Sequence, residues 1–504
     1  MSKDIDRYTA LPPSLQVLVS TNVAPSSSQL LEIAQILPSM AAQLDQLDTD
    51  IACAQAEVVT ELTSSRDNLI ANIEDLKLIR HPLRTLPDDI LRAIFEECVP
   101  WCRQDGISRE SFPDHCSLDA VYAPWTISHV CRNWRAVATS YPLLWCTHNI
   151  NGGTRGATLE QLQKRIAVIH KRSKSLPLRI FISNDVKKPF FRSIVGSCGR
   201  WKCARINTAY LKSIATFQYC EFPLLEGFSF TCAQYSEATI ELDIAMPALR
   251  HLEYNVLEFG DISGVPHHQI LVYRSMYSDL DYIHNMVNLR KLTVHSSSWC
   301  TGERVATPDD LPTTLAHLVH LEIVENSTSD KFIRGFHKIF ERFDMPCLHT
   351  LVLGTVLPLV PARLPSSLSN LSVTHQTTGD LNAIFPQLPR GLHQLHIGGY
   401  DPASVLEALY ARTHVLSRLQ HLQLTVKHNS IGAILQNPTK DVLESAKERH
   451  VPSLETLSIF FDKDAASREW MCEGRNSMLG NMIEDMEAYG TRVEYVVGEH
   501  YFRT

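Results

Sequence analysis

A chain of 504 residues is too long for one compact core and long enough for two or three folding units. With 44% hydrophobic and 20% charged residues it has a globular composition, which excludes a largely disordered chain. The net charge of −8, with Lys and Arg scattered, excludes the basic stripe that tracks a nucleic-acid backbone. The start, Met1-Ser2-Lys3-Asp4, lacks the basic-then-apolar order of an export signal. The longest apolar run, His349 to Val360, is interrupted by Gly354 and Pro358 and is too short to span a bilayer. Thirteen irregularly spaced cysteines then read as reduced thiols, so a cytoplasmic or nuclear location is expected.

Residues 1–37, rich in Ser, Thr and Pro, read as a loose leader with room for one short helix. Residues 38–80 read as an amphipathic, coiled-coil-like segment. Leu44, Leu47, Ile51, Ala54 and Val58 follow a heptad, and after a slip Leu62, Leu69, Ile73 and Leu76 continue it. One long helix, or two with a break near Thr63-Ser64-Ser65, fits this pattern. Alanine and threonine on the seam favour packing within the monomer over dimerisation. His81-Pro82 ends the segment, because proline removes a donor and restricts the residue before it.

A helical unit is expected over 83–148. Leu86-Pro87-Asp88-Asp89 starts a helix with proline in the first turn and carboxylates against the positive end of its dipole. Ile90, Leu91, Ile94 and Phe95 form its apolar stripe. Residues 101–123 read as an inserted loop. A second helix is expected from about Thr126 to Ser140, with Ile127, Val130, Cys131, Trp134, Val137 and Ala138 on its apolar side, followed by the plug Leu143-Leu144-Trp145. Cys98, Cys102, His115 and Cys116 match no metal-ligand spacing, so neither a metal nor another cofactor is expected.

From 158 to 500 the chain is repetitive. A helix over Thr158–Lys171 and an opening strand at Leu178-Arg-Ile180-Phe-Ile182 precede nine copies of Leu-x-x-Leu-x-(apolar), or close variants of it. They begin at Leu225, Leu249, Leu289, Leu318, Leu348, Leu368, Leu392, Leu419 and Leu454. Trp201, Ile206, Phe217 and Phe222 point to one or two degenerate units before them. Alternation in the second half of each copy is a strand signature, and one strand per unit is the arrangement of a leucine-rich-repeat-like solenoid with a parallel sheet. The fold class expected is therefore α/β. His267-His268 falls in the longest irregular insertion.

No catalytic motif is present, and acidic pairs such as Asp88-Asp89, Glu96-Glu97 and Asp309-Asp310 read as solvated charges, so a non-enzymatic protein is expected. If the leucines face inward, His251, Glu253, His295, His320, Glu322, His396, His421 and Gln423 face the open, concave side beside Lys291 and Gln394. They would form a polar ladder suited to a protein partner; the alternative is that outward positions simply need polar residues, histidine being one option. Histidines with ordinary pKa values there would charge between about pH 5 and 7.

Leu86-Pro87-Asp88-Asp89-Ile90-Leu91-Arg92-Ala93-Ile94-Phe95, followed by Ile127-Ser128-His129-Val130-Cys131-Arg132-Asn133-Trp134-Arg135 and closed by Tyr141-Pro142-Leu143-Leu144-Trp145, resembles the F-box. With the heptad helix before it, and Leu176-Pro177-Leu178 and Arg200-Trp201 after it, the chain is similar to fungal F-box proteins with degenerate leucine-rich repeats. The resemblance implies the substrate-recognition subunit of a Skp–cullin–F-box ubiquitin ligase, SCF, acting in ubiquitin-dependent protein degradation. Leu86, Pro87, Ile90, Leu91, Ile94, Phe95, Val130, Cys131 and Trp134 would then bind the Skp adaptor, and through it a cullin-RING assembly, while the array binds a protein target. A helix pair of this size cannot bury all of those side chains itself, and leftover apolar surface marks a protein interface. The alternative is a non-ligase repeat scaffold or signalling protein dimerised through the 40–79 helix.

Overall fold

The computed structural model describes residues 11–20, 23–53, 56–80, 86–102, 107, 112–151, 158–183, 188–208, 220–232, 244–256, 265–275, 280–296, 313–325, 339–355, 364–375, 388–398, 405, 418–426, 454–461 and 491–497. His81, Pro82, Phe217, Asp309 and Asp310 lie outside them, as do the side chains of Ala54, Val58 and Cys102. The fold is mixed α/β with a large parallel sheet, and the chain divides into two compact units, Met1–Trp201 and Lys202–Thr504.

The first unit opens with α1 (Pro13–Ser20), α2 (Ser27–Cys53) and α3 (Ala56–Ile79). The heptad residues are spent on a hairpin. Leu47 packs with Leu69 and Ile73, and Leu62 lies against the same cluster. Ile33 packs with Leu76 and Ile79, under a lid made by Leu11, Leu15 and Leu18. Late residues of α2 meet early residues of α3, and early residues of α2 meet late ones, so the two run antiparallel. Arg66 reaches back to Asp48 at 2.5 Å on the same geometry.

Two expectations are corrected here. The second helix starts at Ser27 and carries Pro38 inside it, so residues 27–37 are helical and not part of a loose leader. The break lies before Ala56 and not at Thr63-Ser64-Ser65. Thr63 turns its hydroxyl back to the Val59 carbonyl at 2.7 Å, which satisfies it within the helix and removes any reason to end there.

Next come α4 (Asp88–Cys98) and α5 (Arg132–Ser140), then β1 (Thr147–Ile150), α6 (Leu159–Arg172), β2 (Leu178–Ile182) and α7 (Lys188–Val195). Helix α6 follows the sequence reading closely. Thr158 caps it in a reciprocal capping box with Gln161, and Lys171 and Arg172 complement its C-terminal end. Strands β1 and β2 pair in parallel, Thr147 beside Arg179 and Ile150 beside Ile182.

The described part of the insertion is not a loose loop. Phe112, Cys116, Ser117 and Leu118 are buried. The Ser117 N–H donates to the Asn149 carbonyl, the Asn149 amide donates to the Pro113 carbonyl at 2.7 Å, and Arg165 donates to the Leu118 carbonyl at 2.7 Å. Arg172 lies over Trp145 at 4.3 Å and Trp125 at 5.1 Å, closing the core.

The second unit is the strand array. Its strands are β3 (Trp201–Thr208, which begins at the last residue of the first unit), β4 (Gly227–Cys232), β5 (His251–Val256), β6 (Val272–Ser275), β7 (Lys291–Ser296), β8 (Thr313–Thr314), β9 (His320–Glu325), β10 (Phe343–Asp344), β11 (Thr350–Thr355), β12 (Asn370–His375), β13 (Gln394–Gly398), β14 (His421–Val426), β15 (Thr456–Phe461) and β16 (Arg492–Val497). From β3 to β16 they lie side by side in chain order, except that β8 and β10 pair with each other apart from this sheet. All nine copies of the leucine motif become strands in it.

The lead-in explains the regularity. In most copies the first leucine is buried and its N–H donates three residues back, as Leu249 does to Met246, Leu289 to Met286, Leu318 to Leu315 and Leu348 to Met345. That turn delivers the next residue into a lateral chain of backbone bonds: Arg250 donates to Glu226, Leu271 to Arg250, Arg290 to Leu271, Val319 to Arg290 and His349 to Val319. Register follows, so that Leu252, Tyr273, Leu292, Leu321, Leu351, Leu371, Leu395, Leu422 and Leu457 form one continuous buried row.

The insertion holding His267-His268 is itself a unit. The pair opens a short 3-10 turn, His267–Gln269, after which Ile270 and Tyr273 take the two leucine places and β6 enters the sheet.

Candidate functional site

Two surfaces carry the candidate residues, one in each unit. In the first, Pro87 sits at the start of α4 with an extended backbone, and Asp88 and Asp89 fill the first turn. The helix divides its apolar residues between two directions. Leu91 and Phe95 are buried, whereas Ile90 remains 45% exposed, Ile94 and Leu86 are half-buried, and Pro87 is exposed.

The expected continuous helix from 126 to 140 is two pieces. A 3-10 turn, Ile127–His129, is followed by Cys131 in an extended conformation, where its sulfur accepts the Trp134 N–H at 3.4 Å and so caps α5. Arg135 bridges the break by donating to the Ser128 carbonyl at 2.9 Å. The break turns Val130 outward, 46% exposed, while Trp134 packs its ring on Phe95 at 5.1 Å. Below, Trp145 donates to the Ala138 carbonyl at 2.8 Å, and the Tyr141 hydroxyl donates to Glu96.

Of the residues singled out for an adaptor contact, Leu91 and Phe95 therefore support the surface from within. Cys131 and Trp134 are half-buried, and Leu86, Pro87, Ile90, Ile94 and Val130 are the outward members. Cys116 donates to the Asn151 carbonyl, burial pushes its thiol pKa up, and His115 stacks on Tyr122 at 4.1 Å. Among the described residues no three His, Cys, Asp or Glu side chains are grouped as metal ligands.

In the second unit the polar residues stand off the leucine row as expected, but in three separate rows. His251, His320 and His421 share the first with Lys291 and Gln394. Glu253, Glu322, His396 and Gln423 share the second, and His295 stands in a third.

Much of this polarity is internally satisfied. Glu253 is buried and accepts from Arg205 at 3.0 Å, reaching across β4. Arg274 meets His295 at 2.9 Å, and Thr293 donates to Glu322 at 3.0 Å. His396 lies between the Ser372 and Thr425 hydroxyls, 2.8 Å from each. Of the polar residues in these rows His421 and Gln394 are exposed, with Gln423 half-buried.

For His251, His295, His320 and His396 the expectation of titration near neutrality is corrected. Burial lowers the pKa of His251, against the pull of Glu226. It lowers His295, aided by Arg274, and His320, aided by Lys291, with Glu322 opposing in both. Burial alone takes His396 down to about 4. Sequence alternation gave the side of the sheet on which each residue stands but carried no signal for the cross-strand partners that cover them.

Sequence reasoning passed over one concave feature. Arg250, Gln269, Leu271, Asn288, Arg290 and His317 line a cavity of about 220 Å³ at the edge where β5, β6 and β7 begin. A search of protein families and of curated proteins found no match to this chain.

Proposed function

We propose that this chain is a non-catalytic substrate receptor of a Skp–cullin–F-box-type ubiquitin ligase, with the helical segment around α4 and α5 docking the Skp adaptor and the strand array, read as a leucine-rich-repeat solenoid, holding a protein target. The observation that carries the reading is the pair Ile90 and Val130. Both are left close to half exposed on a segment whose own core is already filled by Leu91, Phe95, Leu144 and Trp145. Burying a large aliphatic side chain contributes about 1.5–3 kcal/mol, so a partner that covers both gains a sizeable anchor. Half-buried Leu86 and Ile94 and exposed Pro87 extend the surface.

A receptor of this kind needs no nucleophile. Its contribution is to raise the effective concentration of a target lysine beside a thioester carried by another protein. The test is co-purification of the full chain with a Skp adaptor. Leu86→Ala with Pro87→Ala, and separately Ile90→Glu, should each abolish capture while leaving thermal unfolding within about 1 kcal/mol of the parent. Undiminished capture by both variants overturns the proposal.

A further inference from the structure

We infer that the groove where β5, β6 and β7 begin binds an acidic segment of a partner protein, gripping a carboxylate side chain between Arg250 and Arg290. The inference stands apart from any role of the helical segment.

The lateral backbone chain places Arg250, Leu271 and Arg290 at the same position on three successive strands. Parallel strands lie about 4.8 Å apart, so the two arginines start about 10 Å apart, a span their long side chains close from both sides. A guanidinium offers up to five donors in a planar fork matched to an oxyanion. Arg250 spends one on the Leu249 carbonyl at 2.9 Å, and Arg290 is exposed. Among the described residues no carboxylate lines the groove. The nearest acid in the same row, Glu226, is turned to Lys202 at 3.7 Å.

The rest of the lining favours a peptide. Gln269 and Asn288 each use one amide hydrogen on a backbone carbonyl, of Met246 at 2.8 Å and of His268 at 2.7 Å. Each retains a second N–H and a carbonyl oxygen that can accept from a peptide N–H. Leu271, between the arginines, gives an apolar floor for the methylenes of a glutamate. A cavity of about 220 Å³ holds one such side chain. A nucleic-acid backbone would need cations in a continuing line, whereas this row continues into Val319 on one side and Glu226 on the other.

The experiment uses the full chain and a fluorescein-labelled decapeptide with three central glutamates flanked by Gly and Ser. Fluorescence anisotropy should show binding that weakens as salt rises. The same peptide with glutamine should bind at least tenfold more weakly. Arg290→Gln should cost about tenfold, and Arg290→Glu should lose the glutamate peptide while gaining a lysine counterpart. Because Arg290 is exposed, neither change disturbs the core, and an unchanged circular dichroism melt confirms it. Equal binding of glutamate and glutamine peptides, parental affinity in Arg290→Gln, or preferred binding of a single-stranded RNA decamer would each overturn the inference.

Discussion

The neutral His396 makes the strand array sensitive to acid in a way that can be measured. An unfolded imidazole titrates near 6.5, whereas in the fold burial holds it down to about 4. Between those values the unfolded chain binds a proton that the folded chain refuses. The contribution of this group is therefore complete above pH 6.5 and is lost as pH falls towards 4. The full difference is worth about 3 kcal/mol, and about 2 kcal/mol of it is lost between pH 7 and pH 5. His396→Asn removes the titration and keeps a side chain that can both donate and accept. At pH 7 the variant should be less stable than the parent by about 1–2 kcal/mol, the worth of imperfectly replaced bonds to Ser372 and Thr425. At pH 5 that gap should close or reverse. Urea unfolding at the two pH values, followed by circular dichroism, reads the gap directly, since every other titrating group is common to both chains. A gap of the same size at both pH values would refute the reasoning.

Two further outcomes are expected. A Cβ built at Gly398 would lie 2.9 Å from Thr374 Cγ2, whereas at Gly354 the nearest contact is an ordinary 3.5 Å, so Gly398→Ala should destabilise by about 1–3 kcal/mol and Gly354→Ala by much less, as read by urea midpoints. The purified chain should sediment as a monomer, because Leu47, Leu69 and Ile73 are already buried inside the hairpin; a dimer that dissociates on Leu62→Glu would contradict this.

The strands of the nine copies were legible because each repeats one chemical instruction, a buried leucine before the strand and a second leucine, or Phe228 in the first copy, inside it. Strand β6 was not legible, since Ile270 and Tyr273 substitute for the leucines and buried Ser275 holds the third place. Strands β1 and β16 also lack the pair, whereas β3 falls on Trp201 and Ile206, where a degenerate unit was expected. Helix α6 was evident as a helical stretch, whereas the capping role of Cys131 could not be read, because cysteine is a weak acceptor seldom used there. At the surface proposed for an adaptor the apolar stripe of α4 was evident, but its division into buried Leu91 and Phe95 and outward Ile90 depends on where α5 packs. The arginine groove escaped notice because Arg250 and Arg290 stand at lead-in positions of two separate units, distant along the chain and brought together only by lateral pairing.

That lateral pairing also bears on how such a chain can change over time. Neighbouring strands are joined through their own backbones and turns, so the length of chain between them is nearly free to drift. Asn370 lies 20 positions from its cross-strand neighbour Thr350, and Thr456 lies 35 from His421, yet both pairs occupy equivalent places in the sheet. Doubling a connection costs only about 0.6 kcal/mol of closure entropy. Insertions and deletions between units are therefore nearly neutral, and a lineage can lengthen one connection, or duplicate a whole unit, without re-solving the fold.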